Sequence, residues 1–121
     1  MVVPDQRFQK AKRLLHSRQF EHVFANARKT GLLGLTVLAR INDQSHPRLG
    51  LIVSKRVEKT AVGRNRIKRL ARERFRHLQD QLGCIDLILL ARPGLPEKDN
   101  ATLISLFSKG LLDAARRCRN S

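Results

Sequence analysis

The chain has 121 residues, enough for one domain with a hydrophobic core. It carries 25 Lys and Arg against 10 Asp and Glu, a formal net charge of +15, while 41% of its residues are hydrophobic. This apolar content excludes a disordered basic tail. So large a positive charge repels itself unless a polyanion neutralises it, so we expect a folded domain that binds nucleic acid or, as second choice, an acidic membrane surface.

Several classes of protein are excluded by what the sequence lacks. No apolar run approaches the length of a membrane span, and Met1–Leu15 has no apolar segment typical of a signal peptide. Cys84 and Cys118 lack the spacing of zinc ligands, and we expect both to be buried thiols of a cytoplasmic protein. The absence of Trp and Tyr disfavours an RNA-binding sheet that needs several stacking aromatics.

Two segments open the chain. Met1–His16 is polar and basic, and we expect an irregular arm laid on the domain. Ser17 is a suitable N-cap for a short helix that ends at Gly31. The apolar positions of this helix recur at three- and four-residue spacing: Phe20, Val23, Phe24 and Ala27.

Three segments have the pattern of β-strands. Leu33–Asn42 alternates apolar residues with others, and the polar loop Asp43–Pro47 follows it. Arg48–Ser54 is predicted to be a second strand and the antiparallel partner of the first. Cys84–Arg92 is an almost continuous apolar run, which is typical of a strand covered on both faces.

Two longer amphipathic helices complete the pattern. The first is predicted over Gly63–Leu82 with Gly83 as its C-cap, and one stripe of it turns inward: Ile67, Ala71, Phe75, Leu78 and Leu82. The second is capped by Asp99 or Asn100 and buries Leu103, Phe107, Leu111, Ala114 and Cys118. Helices packed against a small sheet predict a single α+β domain over residues 1–121, a two-layer sandwich.

The positive charge is concentrated in two segments. Lys55–Arg76 holds ten basic residues against two acidic ones, and residues 1–18 add a net +4. Arg64 and Arg66 fall in the first turn of the predicted helix, where free N–H groups and the helix dipole favour a phosphate. An arc of about 100° on the side away from the apolar stripe holds Asn65, Lys68, Arg69, Arg72 and Arg76.

Guanidinium groups offer forked donors that fit phosphate oxygens, so this helix is predicted to bind nucleic acid. A basic face can instead be merely solvated, with Glu73 paired to Arg69 or His77. A helix that binds a membrane or a partner protein is a further alternative, but the core of the domain already requires the apolar stripe.

The sequence offers no constellation for catalysis by this chain alone. The four histidines lie in separate elements, and no glycine-rich phosphate loop or zinc motif is present. Asp86, at the start of an apolar strand, is predicted to be hydrogen-bonded rather than to bind a metal ion.

One run of residues resembles a known family. The sequences SKR at 54–56 and RNRIKRLARERFR at 64–76 resemble the signature of the protein subunit of bacterial ribonuclease P. Segments 13–24, 46–51 and 86–92 are similar to further parts of that family in the same order, so the resemblance covers most of residues 13–118. Residues 57–63 depart from the family pattern.

The resemblance implies a fold and a set of partners. The fold is an α/β sandwich like the second domain of ribosomal protein S5, with a left-handed β-α-β crossover through the Arg-rich helix. The partners are a catalytic RNA and the 5′ leader of precursor tRNA, which the RNA removes with Mg²⁺ that it mainly binds itself. No metal ion bound by the protein alone and no obligate protein partner are implied.

The resemblance also implies the contacts. Phe20 and Phe24, with Arg92 on the last strand, are expected to line the cleft for the leader, although both Phe side chains also suit simple core packing. The side chains expected to face the ribozyme RNA are Lys55, Arg56, Arg64, Asn65, Arg66, Lys68, Arg69, Arg72 and Arg76. The alternatives are a ribosomal or translation-associated RNA-binding protein and a DNA-compacting protein.

Overall fold

The computed structural model describes residues 28–119, which form one four-stranded sheet and two helices. The strands are β1 (Arg28–Leu32), β2 (Leu35–Ile41), β3 (Arg48–Ile52) and β4 (Ile85–Ala91), and the helices are α1 (Ala61–Leu82) and α2 (Asn100–Arg119). The predicted arm and the predicted helix with Phe20 and Phe24 lie outside the described residues.

The order of strands in the sheet is β1-β2-β4-β3. β4 pairs antiparallel with β2 and parallel with β3, so β3, α1 and β4 form a β-α-β unit. The prediction that the second strand pairs antiparallel with the first was wrong. The more apolar β4, with Ile85–Leu89 all buried, takes the protected place between them. The handedness of this β-α-β connection stays a prediction.

The sequence analysis missed the edge strand β1. Arg28–Leu32 pairs antiparallel with β2, so Gly31 lies inside a strand and does not end a helix. The two strands are joined by Leu33 and Gly34, and Gly34 has a φ of 77° that a side chain rarely adopts. A Cβ at Gly34 would also lie 3.1 Å from the backbone nitrogen of Leu95, so the close approach of these two segments requires glycine.

The main core lies between the helices and one face of the sheet. Alternate residues of β2 and β4 point into it: Leu35, Val37, Ala39, Ile85, Leu87 and Leu89. All ten inward positions predicted for the two helices are buried, and Phe75 and Phe107 are 0% and 1% exposed. Burying each of these rings contributes about 1.5–3 kcal/mol relative to leaving it in water.

The other face of the sheet carries a different set of side chains. Leu38 and Ile88 pack together there, with Ile52 and Leu90 against them. Because side chains alternate along a strand, Arg40, Arg48, Asp86 and Arg92 belong to this same face.

The two cysteines differ in their surroundings. Cys118 is buried as predicted, whereas Cys84 is exposed, which corrects the prediction for that residue. The reason is local, since β4 begins at Ile85 and leaves Cys84 in the turn after α1. Neither helix of the described part of the chain has the length and apolarity that crossing a bilayer requires.

Candidate nucleic-acid interface

The start of α1 is held by a capping arrangement. Thr60 is the N-cap, and its Oγ1 accepts a 3.0 Å hydrogen bond from the N–H of Gly63. Oε1 of Glu58 in turn accepts 3.0 Å bonds from the N–H and the hydroxyl of Thr60. The N–H of Thr60, followed by its hydroxyl, lowers the pKa of Glu58 below its ordinary value. The cap explains why the helix begins at Ala61, two residues before the predicted start.

The face of α1 that points away from the core carries the predicted basic arc. Asn65 and Arg69 are exposed there, while Lys68, Arg72 and Arg76 are half-buried. Lys55 and Arg56 are exposed in the turn that precedes the helix. Within residues 28–119, no hydrogen bond or ion pair engages the side chains of Lys55, Arg56, Asn65, Lys68 and Arg69. Their donors are therefore available to a polyanion.

Arg64 and Arg66 are placed differently from the rest of the predicted set. Nη1 of Arg64 donates to the carbonyl oxygens of Glu58 and Lys59 at 3.0 and 2.9 Å. Arg66 donates from Nη2 to the Lys98 carbonyl at 2.7 Å and from Nη1 to the Pro96 carbonyl at 3.4 Å. Both guanidinium groups are thus directed at neighbouring loops of the protein itself.

Arg66 also reaches the second helix. Its Nε donates to Oδ1 of Asn100 at 2.7 Å. The Asn100 side chain is available for this bond because Asp99 caps α2, with Oδ1 accepting from the N–H of Thr102 at 2.8 Å. The hydroxyl of Thr102, followed by its N–H, lowers the pKa of Asp99 below its ordinary value. Of the two caps that the sequence offered, the structure therefore selects Asp99.

One carboxylate lies among the basic residues of α1. Oε1 of Glu73 accepts a hydrogen bond from Nη2 of Arg76 and lies 3.1 Å from Nε2 of His77. The bond from Arg76 is the main cause that lowers the pKa of Glu73. Glu73 thus pairs with His77, as the sequence allowed, and with Arg76 rather than Arg69. The side chain of Glu73 is 51% exposed, so this pair contributes at most about 1 kcal/mol.

Asp86 on β4 forms a buried ion pair with Arg48 on β3. Nε and Nη2 of Arg48 donate to its two carboxylate oxygens at 2.7 Å each, and Nδ2 of Asn42 donates at 2.9 Å. The hydrogen bond to Asp86 raises the pKa of Arg48. This confirms the prediction of a hydrogen-bonded carboxylate. Across residues 28–119, His, Cys, Asp and Glu form no group of three or more that is placed to hold a metal ion.

Arg92 directly follows β4, on the sheet face opposite the two helices. Its Nε donates to Oγ1 of Thr36 at 3.2 Å, and its N–H donates to the Gly34 carbonyl at 2.9 Å. The side chain is exposed on the same face as Leu38 and Ile88, which are themselves buried. Because Phe20 and Phe24 lie outside the described residues, the cleft they were expected to form with Arg92 stays a prediction.

Sequence reasoning missed the contacts that align the two helices. Nε of Arg74 donates to Oγ of Ser108 at 2.9 Å, and Nη1 of Arg119 donates to the Gln81 carbonyl at 3.1 Å. With the bond between Arg66 and Asn100, these contacts run along the whole helix pair and keep α1 and α2 side by side. The partners in two of these contacts, Arg66 with Asn100 and Arg74 with Ser108, are both 34 residues apart. The sequence alone does not show that this spacing joins the two helices.

Comparisons with known proteins place the chain beside one family. A family model described as Ribonuclease P matches residues 8–115. The ribonuclease P protein component of Vibrio vulnificus is 46% identical over 102 residues, which cover 84% of this chain and 86% of that protein. The corresponding protein of Methylococcus capsulatus is 44% identical over 114 residues, covering 94% and 89%.

Solved structures agree with the sequence comparison. The ribonuclease P protein of Staphylococcus aureus superposes with a TM-score of 0.80 at 27% identity, covering 88% of this chain and 97% of that one. The ribonuclease P protein of Thermotoga maritima superposes with a TM-score of 0.73 at 26% identity, covering 84% and 96%. The mixed α+β architecture described above is therefore shared with these proteins.

Proposed function

The chain belongs to the ribonuclease P protein family, and from this membership we propose that it acts in tRNA processing as the RNA-binding protein subunit of ribonuclease P. In this proposal the RNA subunit carries the catalysis, and the protein binds that RNA and the 5′ leader of precursor tRNA. A cytoplasmic location in a bacterial cell is part of the proposal.

The observation that carries the proposal is the unneutralised basic surface at the start of α1. Lys55, Arg56, Lys68 and Arg69 keep their donors free of other described side chains, and Asn65 lies among them. Each cation that approaches a phosphate releases condensed counterions, which favours binding at low salt. Arg72 and Arg76 extend the same face along the helix, so the surface suits several phosphates along one RNA strand rather than a single phosphate.

Asn65 gives this surface a group that is not a cation. Its amide offers both donors and an acceptor, which match a base edge or a 2′-hydroxyl. A surface of Lys and Arg alone binds any polyanion, whereas an amide that contacts a 2′-hydroxyl favours RNA, because DNA lacks this group.

The face of the sheet opposite the two helices is the place where we propose that the leader binds. Arg92 supplies an exposed cation there, and the half-buried Ile52 and Leu90 supply apolar surface on the same face. Unpaired nucleotides combine a charged backbone with apolar base faces, so a surface with both features suits a single strand. Phe20 and Phe24 belong to the same proposal as stacking residues.

We assign the Mg²⁺ of the reaction to the RNA subunit, because phosphate oxygens are the hard ligands that this ion prefers. The chain then contributes positive charge that draws RNA phosphates together and so lowers the Mg²⁺ concentration that cleavage requires. No residue of the chain is given a catalytic role.

Binding to a bacterial ribonuclease P RNA tests the proposal directly. The affinity should fall steeply as salt rises, and a fragment of ribosomal RNA or a DNA duplex of equal length should bind more weakly at the same salt concentration. Equal affinity for the ribosomal fragment would favour the ribosomal alternative. Equal affinity for the duplex would favour a DNA-compacting protein.

A further inference from the structure

Arg64, at the end of the first turn of α1, and Arg66, in the second turn, use their donors on the protein itself. Arg64 holds the carbonyls of Glu58 and Lys59 at 3.0 and 2.9 Å. Arg66 uses three nitrogens, on Asn100 at 2.7 Å, on the Lys98 carbonyl at 2.7 Å and on the Pro96 carbonyl at 3.4 Å. Asn65 between them is exposed. The three consecutive residues therefore do not share one orientation.

The carbonyl oxygens that accept from Arg64 belong to Glu58 and Lys59. These residues directly follow the turn in which Lys55 and Arg56 are exposed. The N–H groups of Val57 and Glu58 both donate to the Ser54 carbonyl, at 3.1 and 3.0 Å, and close a turn around the two basic residues. Besides the guanidinium of Arg64, the cap at Thr60 joins this exposed turn to α1 through hydrogen bonds. Arg64 thus limits where the two cations can lie relative to the helix.

The carbonyls that Arg66 holds are connected to Arg92 by two consecutive turns. The N–H of Leu95 donates to the Arg92 carbonyl at 3.2 Å, and the N–H of Lys98 donates to the Leu95 carbonyl at 3.1 Å. Leu95 is 0% exposed and anchors the middle of the segment. Arg66 therefore connects the basic helix to the segment that begins at Arg92, at the end of β4.

We propose that Arg64 and Arg66 are positioning residues, Arg64 for Lys55 and Arg56 and Arg66 for Arg92. This inference rests on the proposed function, because it takes Lys55, Arg56 and Arg92 as the RNA-contacting groups. Ordering the two loops before the RNA arrives removes an entropic cost from binding. Arg66 uses three nitrogens of its planar fork on three oxygens, which a lysine ammonium at the same position cannot do with the same geometry, whereas Arg64 holds both of its carbonyls with Nη1.

Charge-preserving variants separate positioning from contact. In the free protein, Arg64→Lys should speed amide hydrogen exchange at Val57 and Glu58, and Arg66→Lys should speed it at Leu95 and Lys98. The control is Arg74→Lys, which loses the bond to Ser108 and leaves both loops intact. Unchanged exchange at all four amides would overturn the proposal.

Arg64 is tested by a double-mutant cycle on binding to a bacterial ribonuclease P RNA. Arg64→Lys should weaken binding about three- to tenfold, in the lower part of the range of coupling between residues of one hydrogen-bond network. In a Lys55→Gln and Arg56→Gln background it should have no further effect. The same loss in both backgrounds would show a direct contact and would overturn the proposal.

Arg66 is tested by the ratio of affinities for precursor tRNA and mature tRNA in the assembled enzyme. Arg66→Lys should lower this ratio about three- to tenfold, and should not lower it in an Arg92→Gln background. A purely structural role would change the urea midpoint and leave the ratio unchanged, as Arg74→Lys should do. That result would overturn the proposal even though the variant folds.

Failure of the unmodified protein to bind the RNA would overturn the proposed function as well. The results for the variants test only the positioning roles, so the two failures can be distinguished.

Discussion

Arg48 and Asp86 face each other across the parallel strands β3 and β4 and are joined by two hydrogen bonds of 2.7 Å. The pair is largely removed from water, with 15% of the arginine side chain and 3% of the aspartate side chain exposed. Asn42 adds a third bond to the same carboxylate at 2.9 Å and donates to the His46 carbonyl at 3.2 Å. One carboxylate thus fixes both the register of two strands and the loop between β2 and β3.

Asp86→Asn should destabilise the fold by roughly 3 kcal/mol, because it leaves the Arg48 guanidinium buried without a countercharge. The measurement is urea unfolding followed by circular dichroism. Asp113→Asn is the matched control, since its partner Arg116 is 64% exposed and the loss should stay below about 1 kcal/mol. Equal losses in the two variants would refute the structural role assigned to Asp86.

Arg69→Gln should weaken binding to ribonuclease P RNA and lower the slope of log affinity against log salt concentration by about one. Arg69 is exposed on the basic face of α1, and no other described side chain neutralises it. Arg117→Gln removes the same charge from an exposed position on α2 and serves as the control. A slope that falls equally in both variants would mean that net charge, rather than this face, determines binding.

Glu58→Gln should destabilise the protein near neutral pH and have no effect in strong acid. The bonds from Thr60 lower the pKa of Glu58 in the folded state below its ordinary value of 4.5. A lowered pKa contributes stability above 4.5 that is lost as the pH falls through the folded-state value. Unfolding of both proteins across the acidic range checks this, and a difference that persists at the lowest pH would contradict the assignment.

Phe24→Ala should weaken the binding of precursor tRNA by about 1–3 kcal/mol, while leaving that of mature tRNA unchanged, if the ring stacks on a leader base. Arg92→Gln should show the same selectivity, since its cation is exposed on the sheet face opposite the two helices. The measurement is the affinity of the assembled enzyme for both forms of the tRNA. Equal losses for both forms, with a loss of stability, would assign Phe24 to the core.

The helices could be predicted because their patterns are local. The stripe from Ile67 to Leu82 follows the helical period, and its members all point into the core of the structure. The pairing of β3 was not predictable in this way, because no local signal states which of two apolar strands it joins. β1 was missed for a related reason, since its sequence RKTGL shows little alternation of apolar and polar residues.

The basic face could be predicted in outline but not residue by residue. A helical wheel places Arg69 and Asn65 correctly, because their environment depends only on the direction in which they leave the helix. It does not show that the Pro96 and Lys98 carbonyls approach the helix near Arg66, since that approach depends on the connection from β4 to α2. The sequence therefore could not show that Arg66 donates to a neighbouring loop of the protein.

Cleavage of precursor tRNA by a bacterial ribonuclease P RNA at low Mg²⁺ concentration, with and without this protein, tests the central claim most directly. The account predicts that the RNA alone cleaves poorly, that adding the protein restores cleavage at the 5′ end, and that the protein without the RNA cleaves nothing. Cleavage by the protein alone would contradict the assignment of catalysis to the RNA. Tight RNA binding without any stimulation of cleavage would contradict the proposed role in tRNA processing.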